Sequence, residues 1–158
     1  LDGLHPGVTT PAVCGEEPHG DPGGEAVAWG ITHRATSAAD CCDKCTAHAQ
    51  KNPKKPCNSW SFCYLPVCWG LDNAHNHTFG ECWLKHQRDP LRTPKYNQRG
   101  TYGAMKKWHT SAPDQVQWIS GVLGRSGPGT PGSCFGKECH DEFKAALAAA
   151  GVERRPKR

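Results

Sequence analysis

The chain has 158 residues, a net charge of +4 and ten cysteines, with 36% hydrophobic and 8% aromatic residues against 18 Gly and 13 Pro. That is enough for one domain plus tails, but so thin a core falls short against chain entropy unless cross-links restrict the unfolded state. The balance excludes a global polycation, and no apolar run approaches the ~20 residues of a membrane span.

An even number of cysteines in a chain of this size points to an oxidising compartment, hence to a secreted, extracellular or cell-surface protein. The first residue is Leu with no apolar targeting run before it, as in a mature chain or a piece of a longer one. The basic end, Arg154 to Arg158, reads as a solvated tail.

In chain order, Leu1 to Gly24 is loop-like, with Pro6, Pro11, Pro18 and Pro22 among Gly, Glu and His, and Cys14 its only anchor. Ala26 to Thr32 reads as a short strand. A helix opens at Ser37-Ala38-Ala39-Asp40, with Ser37 or Thr36 as N-cap and Asp40 in the first turn, where a negative charge suits the dipole. It runs to about Gln50 and is ended by Asn52-Pro53. Cys57 to Tyr64 alternates as a strand, Leu65 to Phe79 is a long loop, and Gly80 to Lys85 is a second strand. Arg88 to Lys107 is polar and rich in turns, and Gln115 to Leu123 is a closing strand. Residues 124–132 form a Gly/Pro linker, and 133–158 a helical tail in which Phe143, Ala146, Leu147 and Ala150 recur at helical spacing before Gly151. The domain proper spans 14–123, preceded by an extended segment over 1–13.

Cys41 and Cys45 are i and i+4 and share a helix face, with Cys42 turned by about 100°. In the following strand Cys57, Ser59, Ser61 and Cys63 alternate with Asn58, Trp60 and Phe62. The small set suits a helix lying close above, which sends Trp60 and Phe62 to the opposite face. In the next strand Cys82 and Leu84 face the helix and Trp83 and Lys85 do not. Trp60, Phe62 and Trp83 therefore gather on the face away from the helix. There they are either core under a second layer drawn from 86 to 118, or an uncovered aromatic platform.

Catalytic signals are absent from the motifs. No serine sits in a nucleophile context such as GxSxG, there is no phosphate loop, and no basic stripe is interleaved with aromatics. The chain is expected to be non-catalytic, with no cofactor and no nucleic-acid partner. Cys42-x2-Cys45 and Cys134-x4-Cys139-His140 resemble half zinc sites without a matching second half, so no metal is expected. The pair Cys42 and Cys45 lacks the βαβ setting of a redox motif. His75 and His77 fall in the long loop and are expected to face solvent. Asn76-His77-Thr78 is an N-glycosylation sequon in the same loop.

The runs Ser37-Ala-Ala-Asp-Cys-Cys-Asp-Lys-Cys45, Cys57-Asn-Ser-Trp-Ser-Phe62 and Glu81-Cys-Trp-Leu-Lys85 together resemble the PAN/Apple domain family. With the doubled cysteine they are similar to copies found in secreted or surface proteins of algae and other protists. Trp118-Ile-Ser-Gly-Val-Leu123 is similar to the closing segment of such copies, and the resemblance covers roughly 14–123. It implies an α+β fold: an antiparallel sheet crossed by one helix and stapled by Cys41–Cys82 and Cys45–Cys57. It does not settle the other six cysteines. We assign them Cys14–Cys42, Cys63–Cys68 and Cys134–Cys139, with Cys42–Cys82 left open.

The function implied is recognition: protein–protein or protein–glycan adhesion at a cell surface or extracellular matrix. For a carbohydrate ligand the stacking residues would be Trp60, Trp83 or Trp69, the last being best exposed in its loop. Two alternatives stand beside it. One is a structural subunit held in a larger assembly by its tails, docking through Phe143 and Leu147. The other is an accessory domain that targets an enzyme to polysaccharide.

Overall fold

The computed structural model describes residues 10–70, 76–88, 90, 98–102 and 109–124. The expected Cys134–Cys139 bridge, the tail helix with Phe143 and Leu147, the linker beyond Gly124, and His75 all lie outside these residues.

The described chain is a small disulfide-rich α+β protein. Its main sheet is built from β1 (Glu16–Pro18), β3 (Glu25–Ala28), β4 (Ser59–Phe62), β7 (Cys82–His86) and β9 (Ile119–Val122). The order is β1-β9-β4-β7-β3, with every neighbouring pair antiparallel. Two short ladders flank it: β2 (Gly20–Asp21) with β8 (Gln98–Arg99), and β5 (Val67–Cys68) with β6 (His77–Thr78). One helix, α1 (Ala38–Lys51), lies across one face.

The helix begins where its sequence says it should. Ser37 is extended and its hydroxyl accepts the Asp40 N–H at 3.1 Å. The Asp40 carboxylate accepts the Thr36 N–H at 2.9 Å and the Lys44 ammonium at 2.9 Å, which together hold its carboxyl below the usual aspartate range, Lys44 most of all. At the other end the Asn52 side chain donates to the His48 carbonyl at 2.9 Å, and Pro53 prevents a further turn.

Three disulfides radiate from α1. Cys41 reaches Cys82 in β7, Cys45 reaches Cys57 just ahead of β4, and Cys42 reaches Cys14 in the 3-10 turn Ala12–Cys14. The Cys42–Cys82 alternative is thereby excluded. The fourth bridge, Cys63–Cys68, closes a short loop on the far side of the sheet. Each bridge has its Cα atoms 5.2 to 5.9 Å apart, inside the range a disulfide tolerates.

The face assignment expected for β4 is reversed. Across the β4–β7 ladder Trp60 stands opposite Leu84 and Phe62 opposite Cys82. Residues opposite one another share a face, and Cys82 is bonded to the helix. Trp60 and Phe62 are therefore beneath α1, and it is Ser59 and Ser61 that share the other face with Lys85 and Trp83. The error came from Cys57. It touches α1 from the coil before β4, where strand alternation does not apply.

Room for Trp60 comes from Gly121, its partner on β9. A Cβ built there would stand 2.6 Å from the indole ring. Trp60 is fully buried, and its Nε1–H donates to the Cys14 carbonyl at 3.1 Å. Around it pack Cys14, Cys41, Cys42, Cys45, Phe62, Leu84 and Ile119.

A second cluster covers the opposite face. It contains Cys63, Leu65, Cys68, Tyr102, Ala112, Val116 and Trp118, with Trp69 and Trp83 partly buried against it. This is the second layer expected from 86 to 118, joined by the chain that follows β4. Polar residues also enter it: Glu17, Ser61 and Ser120 are all buried. Burial raises the Tyr102 phenol well above its ordinary value, and the Asp21 carboxylate adds to the effect.

Two further expectations change. The stretch to Gly24, read as loop, supplies β1 and β2, and β1 buries Glu16 and Glu17 beside β9. The long loop 65–79 carries the β5–β6 ladder.

Candidate functional site

On the face away from the helix, the sheet and the second layer leave an open pocket of about 270 Å³. Its aromatic walls are Trp83 and Trp118, with His77 beside them, and its polar wall is Lys85 with Asp21. Pro22 to Gly24 and Ala26 form one edge.

Strand alternation along β7 sets the first wall. With Cys82 and Leu84 turned to α1, Trp83 and Lys85 must project into the pocket side. The Trp83 indole is fixed along its pyrrole edge. Its Nε1–H donates to Glu81 Oε1 at 3.0 Å, and its ring packs so closely over Gly30 that any side chain there would collide with it. Trp29, with 61% of its surface exposed, lies against the same ring at a centroid distance of 5.4 Å. It extends the aromatic surface out of the pocket.

Glu81 is the hub behind this wall. It is buried and also accepts from His77 Nδ1 at 2.8 Å and from the Thr78 N–H. A carboxylate accepts only, so Nδ1 of His77 carries the proton. The His77 ring meets Trp118 edge-on at 5.2 Å and Trp83 at 5.8 Å. Trp118 is itself tied down through Nε1–H to the Trp69 carbonyl at 2.7 Å.

The polar wall is equally constrained. Lys85 Nζ donates to Asp21 Oδ1 at 3.0 Å and to the Pro22 carbonyl at 2.6 Å, and the Ser61 hydroxyl donates to Asp21 at 3.2 Å. The Lys85 and Asp21 side chains keep only 14% and 17% of their surface, so the pair is largely withdrawn from water and positions its charges firmly. The arrangement is an apolar, rigid surface with a few fixed donors and acceptors, the general make-up of a small-ligand site.

The residues expected to bind separate. Trp83 lines the pocket. Trp60 is shut beneath α1 and cannot offer a face to a ligand. Trp69 is not the exposed loop ring expected: it is half-buried, with its ring edge-on to Tyr102 at 4.7 Å and its Nε1–H donating to Ser111 at 3.2 Å. His77, expected in solvent, is buried. Asn76 is exposed. Cys42 and Cys45 are disulfide-bonded, and among the described residues no group of three or more His, Cys, Asp or Glu is placed to hold a metal ion.

Of the other residues at the pocket, Asp21 and Trp29 carried no sequence signal, Trp118 stood out only as part of the closing segment and His77 only as a loop histidine. They arrive from four separate segments, and only the i,i+4 pairing of His77 with Glu81 across the Gly80 turn left a local trace.

No family model, no curated protein and no solved structure matches this chain.

Proposed function

We propose that this chain is a non-catalytic recognition module of an extracellular or cell-surface protein, and that it binds a carbohydrate in the pocket between Trp83 and Trp118. The observation that carries the reading is the pocket itself: two immobilised indoles facing a largely buried Lys85–Asp21 pair in about 270 Å³. A sugar ring has an apolar C–H face that suits an indole and hydroxyls that suit a carboxylate and an ammonium. The volume lies just below the usual range for drug-sized ligands and suits one or two sugar units. Every wall residue is held by a second contact, so little ordering entropy is lost on binding.

The compartment rests on the four disulfides. No helix among the described residues is long and apolar enough to cross a membrane. Membership of the PAN/Apple family is part of the same proposal, supported by the one helix stapled over an antiparallel sheet through Cys41–Cys82 and Cys45–Cys57.

The test is a glycan array followed by titration calorimetry with wild type and Trp83→Ala. Saturable binding that falls at least about tenfold in the variant, or roughly 1.4 kcal/mol, supports the reading. Absence of any glycan binding overturns it. A second reading, a protein partner, is favoured by Trp29, exposed against Trp83, and by Ile31 two residues on, exposed as well. It predicts that Trp29→Ala abolishes capture of a surface protein while the array stays blank.

A further inference from the structure

A second hollow, of about 260 Å³, opens beside the β5–β6 ladder. Val67, Trp69, Pro113, Ser111 and Gln117 line it, and so does Asn76. Val67 leaves 58% of its surface in water. Asn76 stands at the start of the sequon Asn76-His77-Thr78, directly before β6. His77 turns inward to Glu81, and alternation along the strand then turns Asn76 and Thr78 outward, where both are exposed. An acceptor asparagine thus sits on the lip of a hollow whose floor is partly apolar. The disulfide-forming compartment inferred above is also the one in which such sequons are modified.

We propose that Asn76 carries an N-linked glycan and that its first N-acetylglucosamine packs into the hollow formed by Val67, Trp69, Pro113 and Gln117. The donor is a lipid pyrophosphate-linked oligosaccharide. Nδ2 of Asn76 bonds to the anomeric carbon of the reducing-end sugar, the bond from that carbon to the pyrophosphate oxygen breaks, the amide gives up one proton, and the lipid pyrophosphate leaves. The apolar sugar face then covers Val67 and Pro113, with the acetyl methyl against the Trp69 indole. The Ser111 hydroxyl, which accepts the Trp69 indole N–H, keeps its own proton to donate, and the Gln117 amide, whose Oε1 accepts the Trp69 backbone N–H at 2.9 Å, offers its NH2 as a donor. Thr78 has a folded role as well, because its hydroxyl accepts from Arg34 Nη1 at 2.9 Å. This hollow shares only Gly70 with the indole pocket, and a glycan at Asn76 is read by its own experiment, so the inference stands or falls apart from the proposed ligand.

The test is expression of the full chain in a glycosylating secretory host, with peptide mass mapping at Asn76. An endoglycosidase then trims the chain to a single N-acetylglucosamine. The expected result is a hexosamine-bearing Asn76 peptide, lost in Thr78→Ala and kept in Thr78→Ser. Nuclear Overhauser contacts should link the acetyl methyl to the Trp69 indole protons. An unmodified Asn76 in wild type overturns the proposal. So does a modified Asn76 whose sugar shows no contact with Trp69. The trimmed wild-type protein gives this second readout even if the Thr78 variants fail to fold.

Discussion

Gly121 illustrates how much of this protein depends on single atoms. It passes beneath the Trp60 ring, and the nearest neighbours of an added methyl would be that ring and the Cys14 carbonyl, neither of which can move without shifting a strand or a disulfide. Gly121→Ala is predicted to destabilise by about 3 kcal/mol, the upper part of the usual overpacking range, measured by denaturant unfolding. Gly30 plays the matching part for the pocket. Gly30→Ala should push the Trp83 indole off its seat and weaken the proposed sugar binding about as much as Trp83→Ala, while the core beneath α1 keeps its stability. His48 gives a pH handle. Its Nδ1 accepts the Cys57 N–H at 3.1 Å, which requires a neutral ring, and burial, with the charge of His33 adding, lowers its pKa. The folded state thus disfavours the proton that the unfolded chain takes up near pH 6.5. Stability from this bond is complete above that pH and declines as pH falls below it. In thermal melts between pH 7.5 and 5.5, His48→Asn, which keeps an acceptor and removes the titration, should show a flatter profile than wild type.

At the scale of elements, α1 organises the rest. Ser37→Ala should cost about 1 kcal/mol through loss of the N-cap. Its cross-links matter more. By loop entropy, replacing both Cys41 and Cys82 with Ser, which opens a separation of 41 residues, should cost about 4 kcal/mol. The same change at Cys63 and Cys68, separated by 5, should cost about 2. Chemical denaturation of the two double variants checks the order. The helix was legible because its signals are local: a cap, an acid in the first turn, cysteines at i and i+4, and a proline past the end. The faces of β4 were not. Parity read from Cys57 fails once that cysteine lies in coil, and only pairing with β7 reveals that Trp60 belongs with Leu84. The strands β1 and β2 were hidden for a related reason. Glu16-Glu17-Pro18 has no β-forming composition, and its pairing is dictated by β9, a partner about a hundred residues away. The pocket was legible only at Trp83, since its other walls come together through those same long-range pairings.

For the molecule as a whole, two layers of side chains on either side of one thin sheet replace the single large core that the composition cannot supply. Adjacent Cys41 and Cys42 send their bonds in opposite directions along the chain, forward to Cys82 and back to Cys14. Tension applied to the chain would therefore find a covalent short circuit. From Cys14 the force crosses one disulfide, one peptide link and a second disulfide, and emerges at Cys82. The path spans only about 15 Å, given bridge Cα separations of 5.9 and 5.6 Å. Drawn out in full, the bypassed stretch would reach on the order of 220 Å. Pulled between its ends, the oxidised protein can surrender β9 and the segments beyond Cys82, but the helix, β3 and β4 are carried as an inextensible knot. Load on the oxidised chain would then peel away β7 onward, Trp83 and Lys85 included, and open the pocket while Asp21, Gly30 and Glu81 stay within the covalently gathered part.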